Sequence, residues 1–400
     1  MSVPANDVDI RLLLPDISTL KDLTDVEKRW AGYHGWLKSL GYELRSRYRH
    51  DWSPSWLKTG YKITHSEDAI QPTIGGKIMD ATRMSDGKII CMKLVPTHTK
   101  ELVIWQFLSS PDLRKDSRNH CIPIFDIHPL PDTDEQVLVV MPLLVVYDII
   151  PFETPGEVMY CVHSFLEGLV FMHEHNVAHL DVASVNVMME PGPSLFPKGF
   201  HPVDPLCYVP NPSSPKIRAG APHISRTLSP VTYYHIDFGE SIKFDDFEHR
   251  ERIYGRVGHA RDAPEFRTGR SYDPFQLDIR ACGDMIKEIP ELFCGLEALQ
   301  PLIDAMRRDE PDERPTAVEA LALLKSVIVK HDPDFLRSFL KPNVDFFETI
   351  SLREYRSHQL DIRILGRPPI YPEIPDLKFE APKPPRRISQ IVQRLLIWVT

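Results

Sequence analysis

Residues Phe171 to Glu190 read FMHEHNVAHLDVASVNVMME, and Tyr233 to Ser241 read YYHIDFGES. Each stretch sets an isolated aspartate, Asp181 or Asp237, at the end of an apolar run, and Asn186 follows the first aspartate by five positions. In phosphoryl transfer a protein mainly positions groups and stabilises charge. An aspartate can orient or deprotonate an attacking hydroxyl, and an asparagine shortly after it can turn back toward a cation. The oxygens of Asn and Asp are hard donors that suit Mg²⁺ and no soft metal. Either motif alone is weak, since such triplets recur by chance. Both in this order, with the β-like run NVMME after the first and TYYHI before the second, form a set.

The bulk composition permits this chemistry and disfavours others. A chain of 400 residues with 42% hydrophobic and 26% charged residues is expected to be globular, with room for two or three packed units or one large two-lobed domain. A net charge of −9 argues against a general nucleic-acid binder. The six cysteines, Cys91, Cys121, Cys161, Cys207, Cys282 and Cys294, contain no C-x-x-C pair, which disfavours a zinc site or a disulfide framework. Reduced thiols, no leader-like start and no apolar run of spanning length lead us to expect an intracellular protein, cytoplasmic or nuclear, without a membrane span.

Along the chain, residues 1–65 read as an N-terminal helical extension. TDVEKRWAGYHGWLKSLG carries a capping box, Thr24 with Glu27, and the stripe Val26, Trp30, Tyr33, Leu37 and Leu40, which reads as core or as a partner-binding face. LRSRYRH alternates Arg45, Arg47 and Arg49 and reads as one solvated strand face, with an acidic-partner patch as the alternative. KIMDATRMSDGKIICMKLVP is a hairpin turning at Ser85-Asp86-Gly87, KELVIWQFL a short helix, and QVLVVMPLL a buried strand. GEVMYCVHSFLEGLVFMHEH is a long amphipathic helix. Strands first and helices later give an α+β class with a small and a large lobe. Two Pro-rich segments interrupt the pattern, residues 191–230 and 342–387, and ISQIVQRLLIWVT closes the chain as a short helix.

With these residues in place the chain resembles the eukaryotic protein kinase family, over roughly residues 66–335, and is similar to kinase-like proteins of mushroom-forming fungi. H-L-D-V-A-S-V-N matches the catalytic loop and D-F-G the metal-binding turn. ICMKL resembles the strand with the phosphate-binding lysine, here Lys93, and KELVIWQFL the regulatory helix whose Glu101 would pair with it. VVMPLL falls where the family hinge binds adenine, through Met141 and Leu143. DAPEF matches A-P-E at Ala263, Pro264 and Glu265; Asp278 in LDIRACG would hold the catalytic-loop backbone; and Arg314 would pair with Glu265. The resemblance implies a bilobal protein-kinase-like fold, with a β-rich N-lobe over 66–144 and a helical C-lobe over 145–335, followed by a Pro-rich tail over 336–400. It implies ATP and Mg²⁺ as cofactors, Asp181 as the base, Asn186 and Asp237 as Mg²⁺ ligands, and a protein substrate. On their residues alone, Lys93 also reads as a snorkelling lysine and Glu101 as a helix-surface charge.

Four departures shape the expectation. IQPTIGGKIMDA, with only Gly75 and Gly76, replaces a Gly-rich phosphate loop. Leu180 stands where the family has the arginine that often binds an activation-loop phosphate. Between Asp237 and Glu265 there is no threonine, and only Ser241 and Tyr254 bear hydroxyls, so we expect a loop that phosphorylation does not switch. Ala183 and Val185 occupy the positions of the lysine or arginine that mark Ser/Thr and Tyr kinases. Asn186 and Asp237 lie 51 positions apart, so 191–230 is an insert that we expect to lack a core, with Ser214-Pro215 and Ser229-Pro230 as candidate sites for proline-directed kinases. PKPPRR, Pro382 to Arg387, fits an SH3-type groove.

Three functions therefore stand side by side. The first is a protein kinase acting on a protein hydroxyl, with Ser/Thr as the expected acceptor. The second is a pseudokinase scaffold with little or no nucleotide turnover. The third is a small-molecule phosphotransferase resembling aminoglycoside kinases, which share H-x-D-x-x-x-x-N.

Overall fold

The computed structural model describes residues 20–343 apart from 73–74, 230, 261, 332 and 339. The candidate SH3 ligand, the closing helix and most of the Pro-rich tail lie outside the described residues. The protein is of mixed α/β type and divides into two units. The first comprises the described part of Met1–Thr97 with Ile124–Leu143 and Lys198–Pro222; the second comprises His98–Pro123, Leu144–Pro197 and the described residues from His223 onward.

The first unit is built on an antiparallel sheet of order β1-β2-β3-β5-β4, formed by Tyr42–Glu43, Ile78–Arg83, Ile89–Pro96, Gln136–Pro142 and Asp126–Pro129 in the order β1, β2, β3, β5, β4. The β2–β3 turn closes by the Arg83 amide donating to Lys88 O, and Gly87 takes φ 71°, a left-handed conformation that glycine adopts without Cβ strain. Helix α1, Asp25–Ser39, starts at the expected capping box. Its Trp30, Tyr33 and Leu37 join Met79, Met92 and Val140 in one apolar core, whereas Val26 and Leu40 of the same stripe are exposed, and the segment after residue 20 is part of the sheet unit. A short helix, α2 (Ser55–Thr59), follows.

The arginine face is corrected. Residues 46–48 form a 3₁₀ turn, and Arg47 is fully buried, donating to Glu27 (2.5 Å) and to the carbonyls of Leu20 (3.1 Å) and Asp68 (2.8 Å). Alternation looked like a solvated strand, but a guanidinium with five donors can be buried when enough acceptors meet it.

The insert is also better ordered than its composition suggests. Residues 198–222 belong to the first unit, where β9 (Cys207–Tyr208) pairs with β10 (Arg218–Ala219). His201 Nε2 lies 3.2 Å from the Glu67 carboxylate, and the Glu67 amide donates to Pro215 O at 2.7 Å. Pro and Ser deny such a stretch a periodic core, yet backbone bonds and isolated anchors such as Ile217 suffice to hold it. Its other end joins the second unit. There Ser225 and Thr227 donate to Glu157, and Ser229 is buried, which removes it as an open modification site.

The second unit opens with α3 (Lys100–Leu108) and centres on α4 (Pro155–Glu174), capped by Thr154 through the Glu157 amide. Expected to be amphipathic, α4 is instead buried nearly all round, with two later helices and a strand packed against it. Gly168 permits one such approach: a Cβ there would stand 2.7 Å from the His235 ring. Strand β6 (Val145–Val146) pairs with β8 (Val187–Glu190), which pairs with β11 (Thr232–His235), and β7 (Val177–Ala178) pairs with β12 (Ile242–Lys243). Helices α5 (Glu265–Thr268), α6 (Pro274–Leu292), α7 (Gln300–Met306), α8 (Ala317–Lys330) and α9 (Pro333–Leu336), with the pair β13 (Phe293–Cys294) and β14 (Lys341–Pro342), complete the unit.

Helix α8 starts at a second capping box, Thr316 with Glu319. Thr316→Ala is expected to cost about 1 kcal/mol in urea denaturation, the usual value of an N-cap hydroxyl.

Candidate active site

The loop after β7 is held from below by one carboxylate. Asp278, fully buried on α6, accepts from the amide of His179 at 2.8 Å and from that of Leu180 at 2.7 Å. His173 Nε2 lies 3.0 Å from the same side chain. The two amide bonds fix Leu180 at φ 63°, a left-handed conformation that costs a branched residue free energy. His179 is wholly enclosed, and burial pushes its pKa below the ordinary value against the pull of Asp278 and Asp181. Its Nδ1 accepts the Asp181 amide at 3.2 Å, so the proton of the neutral ring sits on Nε2, which donates to Ile236 O at 3.1 Å.

This architecture delivers the sequence-predicted residues. Asn186 Nδ2 donates to Asp181 O at 2.9 Å and to Asp181 Oδ2 at 2.7 Å. With both amide hydrogens committed to Asp181, the carbonyl oxygen of Asn186 is its only other polar atom. The Asn186 backbone carbonyl accepts the amide of Ile236 at 2.9 Å, which brings Asp237, the next residue, to the same place. Asp237 is exposed and has φ 63°, while Phe238 is buried beside Trp105 and His179. An amide oxygen and an exposed carboxylate are hard donors, so this pair fits Mg²⁺. Among the described residues no group of three or more His, Cys, Asp or Glu is arranged for a metal.

Lys93, Met141 and Leu143 belong to the first unit. Lys93 is half-buried in mid-β3 opposite Val139; Met141 is buried on β5 opposite Cys91; Leu143 follows the end of that strand. Glu101 is half-buried in the first turn of α3, in the second unit. Arg314 and Glu265 form a buried two-point ion pair at 2.5 and 2.8 Å.

Leu180 packs in an apolar cluster with Ala178, Phe244, Ala263, Tyr272, Phe275 and Leu277. Ile253, Val257 and Ala260, from the segment before Glu265, pack against it.

Sequence reading missed His259. Its amide donates to Asp181 Oδ1 at 2.8 Å, and its Nδ1 lies 2.7 Å from the same oxygen. Gly258 makes the approach possible: at φ 60°, a Cβ would fall 2.2 Å from Leu180 O and 2.6 Å from Asp181 Oδ1. The only signal was a Gly-His pair shortly before A-P-E, too short to read as a site.

No protein-family model matches the chain, and no curated protein matches it. No helix among the described residues is long and apolar enough to cross a membrane.

Proposed function

We propose that the protein is an ATP-dependent protein kinase that transfers the γ-phosphoryl group of Mg-ATP to a protein hydroxyl, with Ser/Thr as the acceptor class. In this reading the sheet unit is the N-lobe and the helical unit the C-lobe of a bilobal kinase-like fold. The observation that carries it is the Asp181–Asn186–Asp237 constellation on a loop pinned by Asp278.

The acceptor oxygen forms a bond to the γ-phosphorus and gives its proton to Asp181; the bond to the bridging oxygen breaks, and its electron pair leaves with ADP. Asn186 and Asp237 would hold Mg²⁺, which offsets phosphate charge when bound. Lys93 would orient the phosphates, Glu101 would fix Lys93, and Met141 and Leu143 would contact adenine. The apolar packing of Leu180 supports a loop that is ordered without phosphate.

A binding module without turnover is the second reading, favoured by Ala183: no cationic side chain stands two residues after Asp181.

Transfer of labelled γ-phosphate to the protein itself, to Ser/Thr and Tyr acceptors and to small alcohols tests this. Asp181→Asn and Asp237→Ala are each expected to lower transfer by about 10²–10⁴-fold, and phosphatase treatment of the wild type is expected to leave it unchanged. A rise in Tm with Mg-ATP but no transfer would select the binding module. Label on small alcohols alone would select the small-molecule enzyme.

A further inference from the structure

We propose that His259 is the positioning residue of Asp181, choosing which carboxylate oxygen receives the acceptor proton. The inference rests on the reading of Asp181 as the base. A carboxylate offers about two acceptor sites on each oxygen. Oδ1 of Asp181 takes two donors, the His259 amide at 2.8 Å and His259 Nδ1 at 2.7 Å. Oδ2 takes one, Asn186 Nδ2 at 2.7 Å. Oδ1 is therefore filled, and one acceptor site is left, on Oδ2. An acceptor hydroxyl can meet the base in one orientation only.

The clamp depends on close approach. Gly258 brings the chain so near that any Cβ would overlap Leu180 O, so the backbone amide and the imidazole reach the same oxygen together. Asp181 is itself largely enclosed, with its side chain 12% exposed, whereas that of His259 is half-exposed at 52%. For Nδ1 to meet a carboxylate oxygen at this distance it must carry a proton. His259 thus places a donor on the base from the segment ahead of Glu265, in a chain whose Ala183 has nothing to place there.

The test uses the full-length protein. Histidine side-chain ¹⁵N NMR is expected to show His259 protonated at Nδ1, with the signal assigned by its loss in His259→Gln. Asp181→Ala is expected to abolish the hydrogen-bonded Nδ1 proton. In the transfer assay, His259→Ala and His259→Gln are expected to lower kcat about tenfold or more, with KM for Mg-ATP changed less than about twofold. His259→Asn, whose amide nitrogen falls near the place of Nδ1, is expected to recover to within about threefold of the wild type. An Asn variant as slow as Ala, an Ala variant as fast as the wild type, or an Nδ1 signal indifferent to Asp181→Ala overturns the proposal. If the wild type transfers no phosphate, the kinase reading fails on that result alone. The NMR arm then still decides whether His259 fixes the Asp181 carboxylate.

Discussion

Asp278→Asn is expected to lower stability by about 3 kcal/mol and the Tm by about 6–12 °C. The side chain is fully buried, and its two oxygens each receive one backbone amide, from His179 and from Leu180. An asparagine has the same shape but one acceptor. Its NH₂ group would face the second amide donor, leaving that N–H unpaired in a dry site at a cost of about 1–3 kcal/mol. The charge-assisted character of the remaining bond is lost as well, and His173 loses its carboxylate partner. Leu180 then has one bond in place of two to hold its φ of 63°, a conformation that costs about 1–2 kcal/mol. Relaxation toward a right-handed backbone would pull the side chain out of its apolar cluster and shift Asp181, the next residue. Differential scanning calorimetry of wild type and variant measures the effect. A Tm within about one degree of the wild type would mean that the loop does not depend on Asp278.

Much of this site was legible because its parts are short-range. Asp181 and Asn186 are five positions apart, and a single turn of chain brings them into contact. The hairpin at Gly87, the capping box of α1 and the helix at Lys100 were likewise written in local turn, cap and periodicity signals. What failed was long-range or solitary. His259 reaches Asp181 across 78 positions through one glycine, and no periodicity marks a single close approach. Arg47 looked solvated because charge is mostly exposed; its burial rests on Glu27, twenty positions away, and on carbonyls that no residue type announces. The insert deceived by composition: Glu157 on α4 supplies acceptors for Ser225 and Thr227, so a polar stretch is held by a polar network and not by a core.

Stability is expected to peak near neutral pH and to fall on the acid side with a slope set by two buried histidines. His163 and His235 are almost wholly enclosed, and His163 Nε2 and His235 Nδ1 have no hydrogen-bond partner among the described residues. Burial pushes the pKa of His163 down to about 4, against the pull of Glu167, and that of His235 to about 3, with His179 adding to the effect. In the unfolded chain both return to about 6.5. As the pH falls through that value the unfolded state binds two protons that the folded state refuses. Stability from these groups is therefore complete above about pH 6.5 and lost below it, at up to about 1.4 kcal/mol per pH unit for each histidine. Glu153 acts in the opposite sense. Burial first, and then the neighbouring Glu157, hold its carboxyl protonated well above the usual carboxylate range. The folded state thus keeps a proton that the unfolded state releases above the ordinary glutamate range near pH 4.5, and the stabilising contribution is lost as pH rises. Between about pH 4.5 and 6.5 this offsets roughly one of the two histidines, leaving a net slope near 1.4 kcal/mol per unit; below that range the Glu153 offset fades, but His163 and then His235 begin to bind their protons in the folded state as well, so the slope stays near one proton and then falls away. Urea denaturation across pH 4–9 measures it. His163→Leu should remove one proton from the acid slope whatever it does to packing. Glu153→Gln should steepen the limb between pH 4.5 and 6.5 and flatten the alkaline one. An acid slope unchanged by His163→Leu would mean that His163 is already charged in the folded protein.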